Sequence, residues 1–161
     1  MKRFLPQGFM IFAGVLGIAA TLQSDQDVTK SKKFDLRETI LRKFLREKQC
    51  PAQEFTELFI SEADANGLDW RLLPSLAFVE TGAGKTQKGN NLFGWANGRQ
   101  TFTSFGDAIH IVATALAYGR AYRGKDTNGK LEAYNQGPDY KAVVLQIMRQ
   151  ISPRQQVQPA E

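Results

Sequence analysis

Between residues 34 and 151, apolar side chains recur at helical spacing, and this pattern constrains the fold more than any other feature. It is clearest near the end, where Val144, Ile147 and Met148 fall on one face of a helix. Residues 82–106 break the pattern and are rich in glycine, asparagine and aromatic side chains. Asn97-Gly98, a dipeptide typical of a tight hairpin turn, lies in that stretch. The sequence therefore predicts a mainly α domain with one small β-hairpin in its middle.

The N-terminus differs from this middle part. Residues 8–20 form an uninterrupted run of apolar residues and glycine that follows Lys2 and Arg3. A basic start before a short apolar run is typical of a signal peptide, and the run is shorter than the roughly 18 residues of a spanning helix. An uncleaved membrane anchor over residues 4–22 is the alternative. In either case the protein is expected to be exported, as a periplasmic or cell-envelope protein.

The remaining organisation follows from composition. Polar, aperiodic sequence precedes the helical pattern, and a segment with two prolines and three glutamines follows it. We therefore divide the chain into a signal peptide or anchor (1–20), a polar tether (21–33), one compact domain (34–151) and a flexible tail (152–161).

The net charge gives little support to a nucleic-acid ligand. The formal net charge is +5, and loss of the leader with Lys2 and Arg3 lowers it to +3. The other lysines and arginines are interspersed with aspartate and glutamate rather than gathered into runs. We expect no nucleic-acid partner.

The residue types present exclude several chemistries. The chain has one histidine, His110, and one cysteine, Cys50, so it cannot form an internal disulfide. These two residues are too few for a usual zinc site, and we expect no metal and no cofactor. A Cys–His hydrolase stays open, because a helix N-terminus can activate a thiol. The simpler interpretation places Cys50 in a helix junction and His110 at the core boundary.

Glu80 is the most informative carboxyl. It ends an apolar helix that Gly82 can close in a left-handed conformation. The negative end of a helix dipole and partial burial both favour the protonated form of a carboxyl group. Such a group can donate a proton to a leaving oxygen, which is the first requirement of glycosidic cleavage. From composition alone, however, an ordinary solvated glutamate is the simpler interpretation.

Three motifs resemble enzymes that cleave peptidoglycan. Residues 67–74 (GLDWRLLP) and 80–82 (ETG) resemble the catalytic-helix segment of the lysozyme-like peptidoglycan hydrolases. Residues 90–95 (NNLFGW) are similar to the Asn-Asn-Leu-Phe-Gly signature of the bacterial glucosaminidase family, also called the mannosyl-glycoprotein endo-β-N-acetylglucosaminidase-like family. Residues 133–140 (AYNQGPDY) resemble the Ala-Tyr-Asn motif of soluble lytic transglycosylases. Their order implies a lysozyme-like α+β fold, with the hairpin beside a catalytic cleft.

This resemblance implies that Glu80 is the catalytic acid and that peptidoglycan glycan strands are the substrate. Amide side chains can bond to sugar hydroxyl or acetamido groups, and aromatic rings can stack on pyranose rings. The substrate-binding residues that it implies are Thr81, Asn91, Phe93, Gly94, Trp95, Tyr134 and Asn135. For Phe93 the alternative is a place in the core, and for Trp95 core and cleft are equally good interpretations.

The sequence departs from these families in two ways. The Gly-Leu-Met-Gln motif of lytic transglycosylases is missing, and residues 81–106 contain no Asp or Glu. A two-carboxylate glycosidase needs a second acid roughly 5–10 Å from the first. Substrate assistance, in which the sugar's acetamido group stabilises the developing cation, removes that need.

Three functions therefore remain open. Attack by water gives hydrolysis, as in a glucosaminidase, whereas attack by the C6 hydroxyl gives the 1,6-anhydromuramic product of a lytic transglycosylase. The third alternative is a glycan-binding or assembly module without catalysis.

Overall fold

The computed structural model describes residues 34–153, which form six α-helices and one short 3-10 helix, Pro51–Phe55. The helices are α1 (Leu36–Glu47), α2 (Thr56–Ala65), α3 (Leu72–Thr81), α4 (Phe105–Tyr118), α5 (Thr127–Tyr134) and α6 (Tyr140–Ile151). The mainly α prediction is confirmed. No helix in this range is long and apolar enough to span a bilayer. The predicted leader, the tether and the tail from residue 154 onward lie outside the described residues.

Helix α3 is the centre of the domain. Seven of its ten residues are buried, and it packs against α2 and α6. A helix that is apolar on all sides is stable only when other elements surround it. Leu72, Leu73 and Leu76 are at most 1% exposed and pack in the core. The helix that carries Glu80 is therefore fixed along most of its length.

Pro74 does not kink α3, contrary to what its place in the apolar run suggests. It is the third residue of the helix, where a backbone N–H has no partner within the helix. Proline therefore loses no hydrogen bond there and introduces no clash with an earlier turn. Asp69 acts just before the helix, where its carboxylate accepts from the backbone N–H of Arg71 at 3.0 Å.

The predicted β-hairpin is not formed. Between α3 and α4 the chain makes a series of turns, and the described residues contain no strand. Asn90 and Gly94 have positive φ angles of 57° and 58°, which a strand cannot accommodate. One backbone hydrogen bond, from Phe102 N to Gly89 O at 2.8 Å, joins the two sides of the loop.

A buried arginine joins the end of α6 to the start of α3. Arg71 is 4% exposed, pairs with Asp69 at 2.6 Å and donates to the carbonyl of Ser152 at 2.8 Å. Ser152 is itself buried, so the ordered domain extends past residue 151, where the sequence placed the start of the tail.

Candidate active site

Glu80 lies in the last turn of α3 and is half-buried. The helix ends at Gly82, whose left-handed conformation (φ 62°) was expected from the sequence. The chain then returns so that the segment around Leu92 lies beside the end of the helix. Thr81 holds this segment in place, since its hydroxyl donates to Leu92 O at 2.8 Å and accepts from Gly84 N at 3.1 Å.

Thr81 is therefore buried and engaged with the backbone, not presented to a ligand. We predict that Thr81→Val destabilises the domain by about 1–3 kcal/mol, because the Leu92 carbonyl and the Gly84 N–H lose their partner in a buried place. Urea unfolding followed by circular dichroism measures this change. Thr114→Val, at an exposed position of α4, is the control and should change the free energy of unfolding by less than about 0.5 kcal/mol. Equal effects of the two substitutions would contradict this role.

Gly94 lies directly against the Glu80 carboxyl. A Cβ atom at Gly94 would lie 2.7 Å from Oε2 of Glu80, well inside van der Waals contact. Gly94 also has a φ of 58°, a conformation that glycine adopts without strain. The carboxyl thus occupies the space that any other residue at this position would fill.

Two tyrosines complete the surroundings of Glu80. The hydroxyl of Tyr140 donates to Oε1 of Glu80 at 2.6 Å. Tyr134 donates to the backbone carbonyl of Phe93, and its ring stacks on that of Tyr140 with centroids 6.0 Å apart and an angle of 8°. The end of α5 and the start of α6 thereby hold the carboxyl from the side opposite its own helix.

Both tyrosine hydroxyls remain donors. Burial raises the pKa of Tyr134 well above its usual value, and the nearby Glu80 carboxylate adds to the effect. Burial also raises the pKa of Tyr140, followed by its hydrogen bond to Glu80. Neither phenol ionises at neutral pH, so the Tyr140 hydroxyl orients the carboxyl, the Tyr134 hydroxyl holds the Phe93 carbonyl, and neither acts as a base.

A row of half-buried aromatic rings extends from this point. The Trp95 ring lies 5.8 Å from Tyr134 and 6.2 Å from Tyr122, centroid to centroid. With Tyr140 they form a continuous row of four rings that ends at Glu80; we call these four residues the aromatic row. All four rings are half-buried and pack against the hydrophobic core, and each leaves part of its surface exposed.

The loop that carries Tyr122 is fixed by a buried lysine. The ammonium group of Lys130 donates to the carbonyls of Tyr122 at 3.1 Å and Lys125 at 2.7 Å. These bonds close the loop between α4 and α5, and Asp126 caps α5 by accepting from Gly129 N. The position of the Tyr122 ring is therefore set by the fold.

The remaining residues expected to bind substrate lie in different surroundings. Asn91 is 3% exposed, and its amide bonds to Trp95 N, Trp95 O and Gln100 O. It shapes the turn that carries Gly94 and Trp95. Phe93 is fully buried in the core, and only its carbonyl reaches the site, through Tyr134. Asn135 is exposed and accepts from Gly137 N at 2.8 Å.

Of the residues predicted for the site, the structure brings Glu80, Gly94, Trp95 and Tyr134 together. It adds Tyr140 and Tyr122, to which the sequence analysis gave no role. Tyr140 was part of the quoted 133–140 motif, which was the available signal. Tyr122 is an aromatic residue in a loop that is otherwise rich in glycine and charge. This difference in residue type is the signal in the sequence that could have marked it as a site residue.

The arrangement does not support a Cys–His hydrolase. Cys50 is 1% exposed, its thiol donates to Lys48 O, and burial raises its pKa. A buried thiol with a raised pKa is a poor nucleophile. His110 instead pairs with Glu62 across α2 and α4, with Nδ1 3.0 Å from Oε1.

Glu80 is the one carboxylate among the residues whose contacts define the site. No group of three or more His, Cys, Asp or Glu side chains suitable for a metal ion occurs within residues 34–153. Asp107, the first acid in the chain after Glu80, lies in the first turn of α4, where its carboxylate accepts from Thr103 N; the helix cap is Ser104, which accepts from Asp107 N.

The chain matches no protein-family model, and a search of curated proteins found no relative.

Proposed function

We propose that this protein is an exported peptidoglycan glycosidase that cleaves β-1,4 bonds between amino sugars, with Glu80 as its general acid and base. One observation carries the proposal. A single carboxyl group is held by Tyr140 on one oxygen, lies against Gly94 with the other, and stands at the end of the aromatic row. The lysozyme-like fold is part of the same proposal.

The two oxygens of the Glu80 carboxyl have different contacts and therefore different roles in this proposal. Oε1 accepts from the Tyr140 hydroxyl, which fixes the plane of the carboxyl group. Oε2 is then the atom that delivers a proton to the glycosidic oxygen. Because Gly94 has no side chain, Oε2 can lie against the backbone at this position, and residue 94 places no side chain over it. Proton donation from a positioned acid typically contributes 10²–10⁴-fold to a rate.

The second step follows from the absence of a second acid in residues 81–106. The acetamido oxygen of the sugar attacks its own anomeric carbon as the bond to the leaving oxygen breaks, and a cyclic oxazolinium forms. Glu80, now ionised, accepts a proton from the group that opens this ring. When water opens the ring, the outcome is hydrolysis. When the C6 hydroxyl of the same sugar opens it, the product is a 1,6-anhydro sugar.

The lytic transglycosylase is the second candidate, and the two tyrosines favour it. Tyr134 and Tyr140 both belong to the motif that resembles those enzymes, and both lie at the carboxyl group. The 90–95 segment favours the glucosaminidase type in turn, since it supplies Gly94 and Trp95.

Mass spectrometry of the fragments released from purified sacculi tests the proposal and separates these candidates. Hydrolysis leaves reducing ends that borohydride reduces, whereas transglycosylation leaves 1,6-anhydromuramic ends that are 18 Da lighter than the hydrolysis product (the mass of one water). A glucosaminidase leaves N-acetylglucosamine at the new reducing end. Release of no glycan fragments at all would contradict the proposal.

Tyr140→Phe tests the role of the tyrosine in positioning. This variant keeps the ring and its stacking on Tyr134 but removes the bond to Oε1 of Glu80. We expect kcat for sacculus digestion to fall about 10- to 100-fold with little change in substrate binding, because one charge-assisted bond contributes roughly 1.5–3 kcal/mol. Tyr118→Phe, at a position 66% exposed on α4, is the control. A change in binding with kcat unchanged would contradict the assigned role.

A further inference from the structure

Positive charge is concentrated in residues 81–125, the segment that carries Gly94, Trp95 and Tyr122 of the proposed site. Residues 81–125 contain six lysines or arginines and one carboxylate, Asp107. The other residues of the described range contain nine lysines or arginines and twelve carboxylates. The small net charge of the chain thus includes a basic segment, residues 81–125, and an acidic remainder of the described range.

Three of these cations lie close in sequence to Trp95 and Tyr122, whose ring centroids are 6.2 Å apart. Arg120 and Arg123 flank Tyr122 in the loop that Lys130 holds. Arg99 belongs to the turn after Trp95, which is closed by a backbone bond from Gln100 N to Trp95 O at 3.4 Å. All three are exposed, and none forms an ion pair within the described part of the chain.

Within the described residues, these three side chains form no hydrogen bond and no ion pair. Arg37 and Arg71, in contrast, are buried and paired with aspartates. A guanidinium group binds a carboxylate through two parallel hydrogen bonds. An arginine without an ionic partner in the domain can bind a carboxylate of a ligand without first breaking an ion pair.

We propose that Arg99, Arg120 and Arg123 recognise the carboxylates of the peptide branches on the glycan strand, so that the preferred substrate is a strand bearing anionic peptides. This inference rests on the proposed function of Glu80 and deepens it. The aromatic row holds the sugars, and the arginines select strands with carboxylates beside the bound sugar rings. Ion pairs between these exposed arginines and substrate carboxylates weaken as the ionic strength rises.

The test compares two preparations of sacculi that differ only in charge. Phosphate-containing polymers are first removed and all amines are acetylated, so that carboxylates are the remaining ionised groups. One half is then treated with carbodiimide and excess ammonium, which converts the carboxylates to neutral amides. Wild-type protein, the double variant Arg120→Gln/Arg123→Gln and the control Arg42→Gln/Arg46→Gln on the exposed face of α1 are compared on both.

We expect the wild type and the control to digest the anionic sacculi about tenfold faster than the amidated ones, with the difference shrinking in 0.5 M salt. The double variant should lose most of this preference while digesting amidated sacculi at the wild-type rate. An equal wild-type rate on both preparations, or an unchanged preference in the double variant, would overturn this inference and leave the role of Glu80 intact. Absence of digestion of either preparation would instead refute the proposed function.

Discussion

Replacing Glu80 with glutamine should lower the rate of sacculus digestion by about three orders of magnitude, within the range for loss of a positioned acid. Glutamine has nearly the shape of glutamate, and its amide oxygen can accept from Tyr140 as Oε1 does now. It carries no acidic proton for the leaving oxygen and cannot accept one in the second step. The change therefore removes the chemistry and leaves the packing around α3 in place.

Two further measurements separate a loss of catalysis from a loss of folding or of substrate binding. The melting temperature of Glu80→Gln should lie within about 2 °C of the wild type, and the variant should still sediment with sacculi. Glu54→Gln, at an exposed position of the 3-10 helix, is the control and should digest at the wild-type rate. A Glu80→Gln protein that clears sacculi as fast as the wild type would refute the mechanism. Binding without digestion by either protein would favour the glycan-binding module.

Local signals predicted the helices well. Asp35, Gly82 and Asp126 each act as the helix cap that their residue type suggests, because capping depends on only a few neighbouring residues. Pro74 shows the limit of such reasoning. The effect of a proline depends on where the helix begins. In the helix interior a proline breaks or kinks the helix, whereas three or four residues nearer the start, in the first turn, it is tolerated.

The hairpin prediction was wrong because Asn-Gly signals a turn without specifying what surrounds it. The backbone of the 90–98 segment takes left-handed conformations at several other positions, including Asn90 and Gly94. The buried side chain of Asn91 then satisfies backbone groups that a strand ladder would otherwise pair. That arrangement depends on burial against the core, which residue types alone do not reveal.

The site was predictable only in part for a related reason. Glu80, Gly94, Trp95 and Tyr134 stand in motifs that mark the region, but their contacts join distant parts of the chain. Tyr140 meets Glu80 across 60 residues of sequence. A residue at the start of an amphipathic helix has the same local pattern whether its hydroxyl faces solvent or a carboxyl, so spacing could not single it out.

Gly94→Ala should reduce digestion at least a hundredfold while the domain stays folded. The added methyl group would lie 2.7 Å from Oε2, so one of the two must move. The carboxyl is the end of a flexible side chain and moves more easily than the backbone. Misplacement of a catalytic group by about 1 Å can cost roughly 10²-fold in rate. The same shift strains the bond to Tyr140, which holds the other oxygen.

Gly98→Ala separates this effect from backbone strain. Gly98 also has a positive φ, 75°, but a Cβ there would meet no atom within 4 Å. Both variants should therefore lose about 1 kcal/mol of stability from the left-handed conformation, measured by urea unfolding. Only Gly94→Ala should also lose activity, because only there does the new methyl group compete with the carboxyl for space. Equal activity in the two variants would mean that Oε2 does not act from the position beside Gly94.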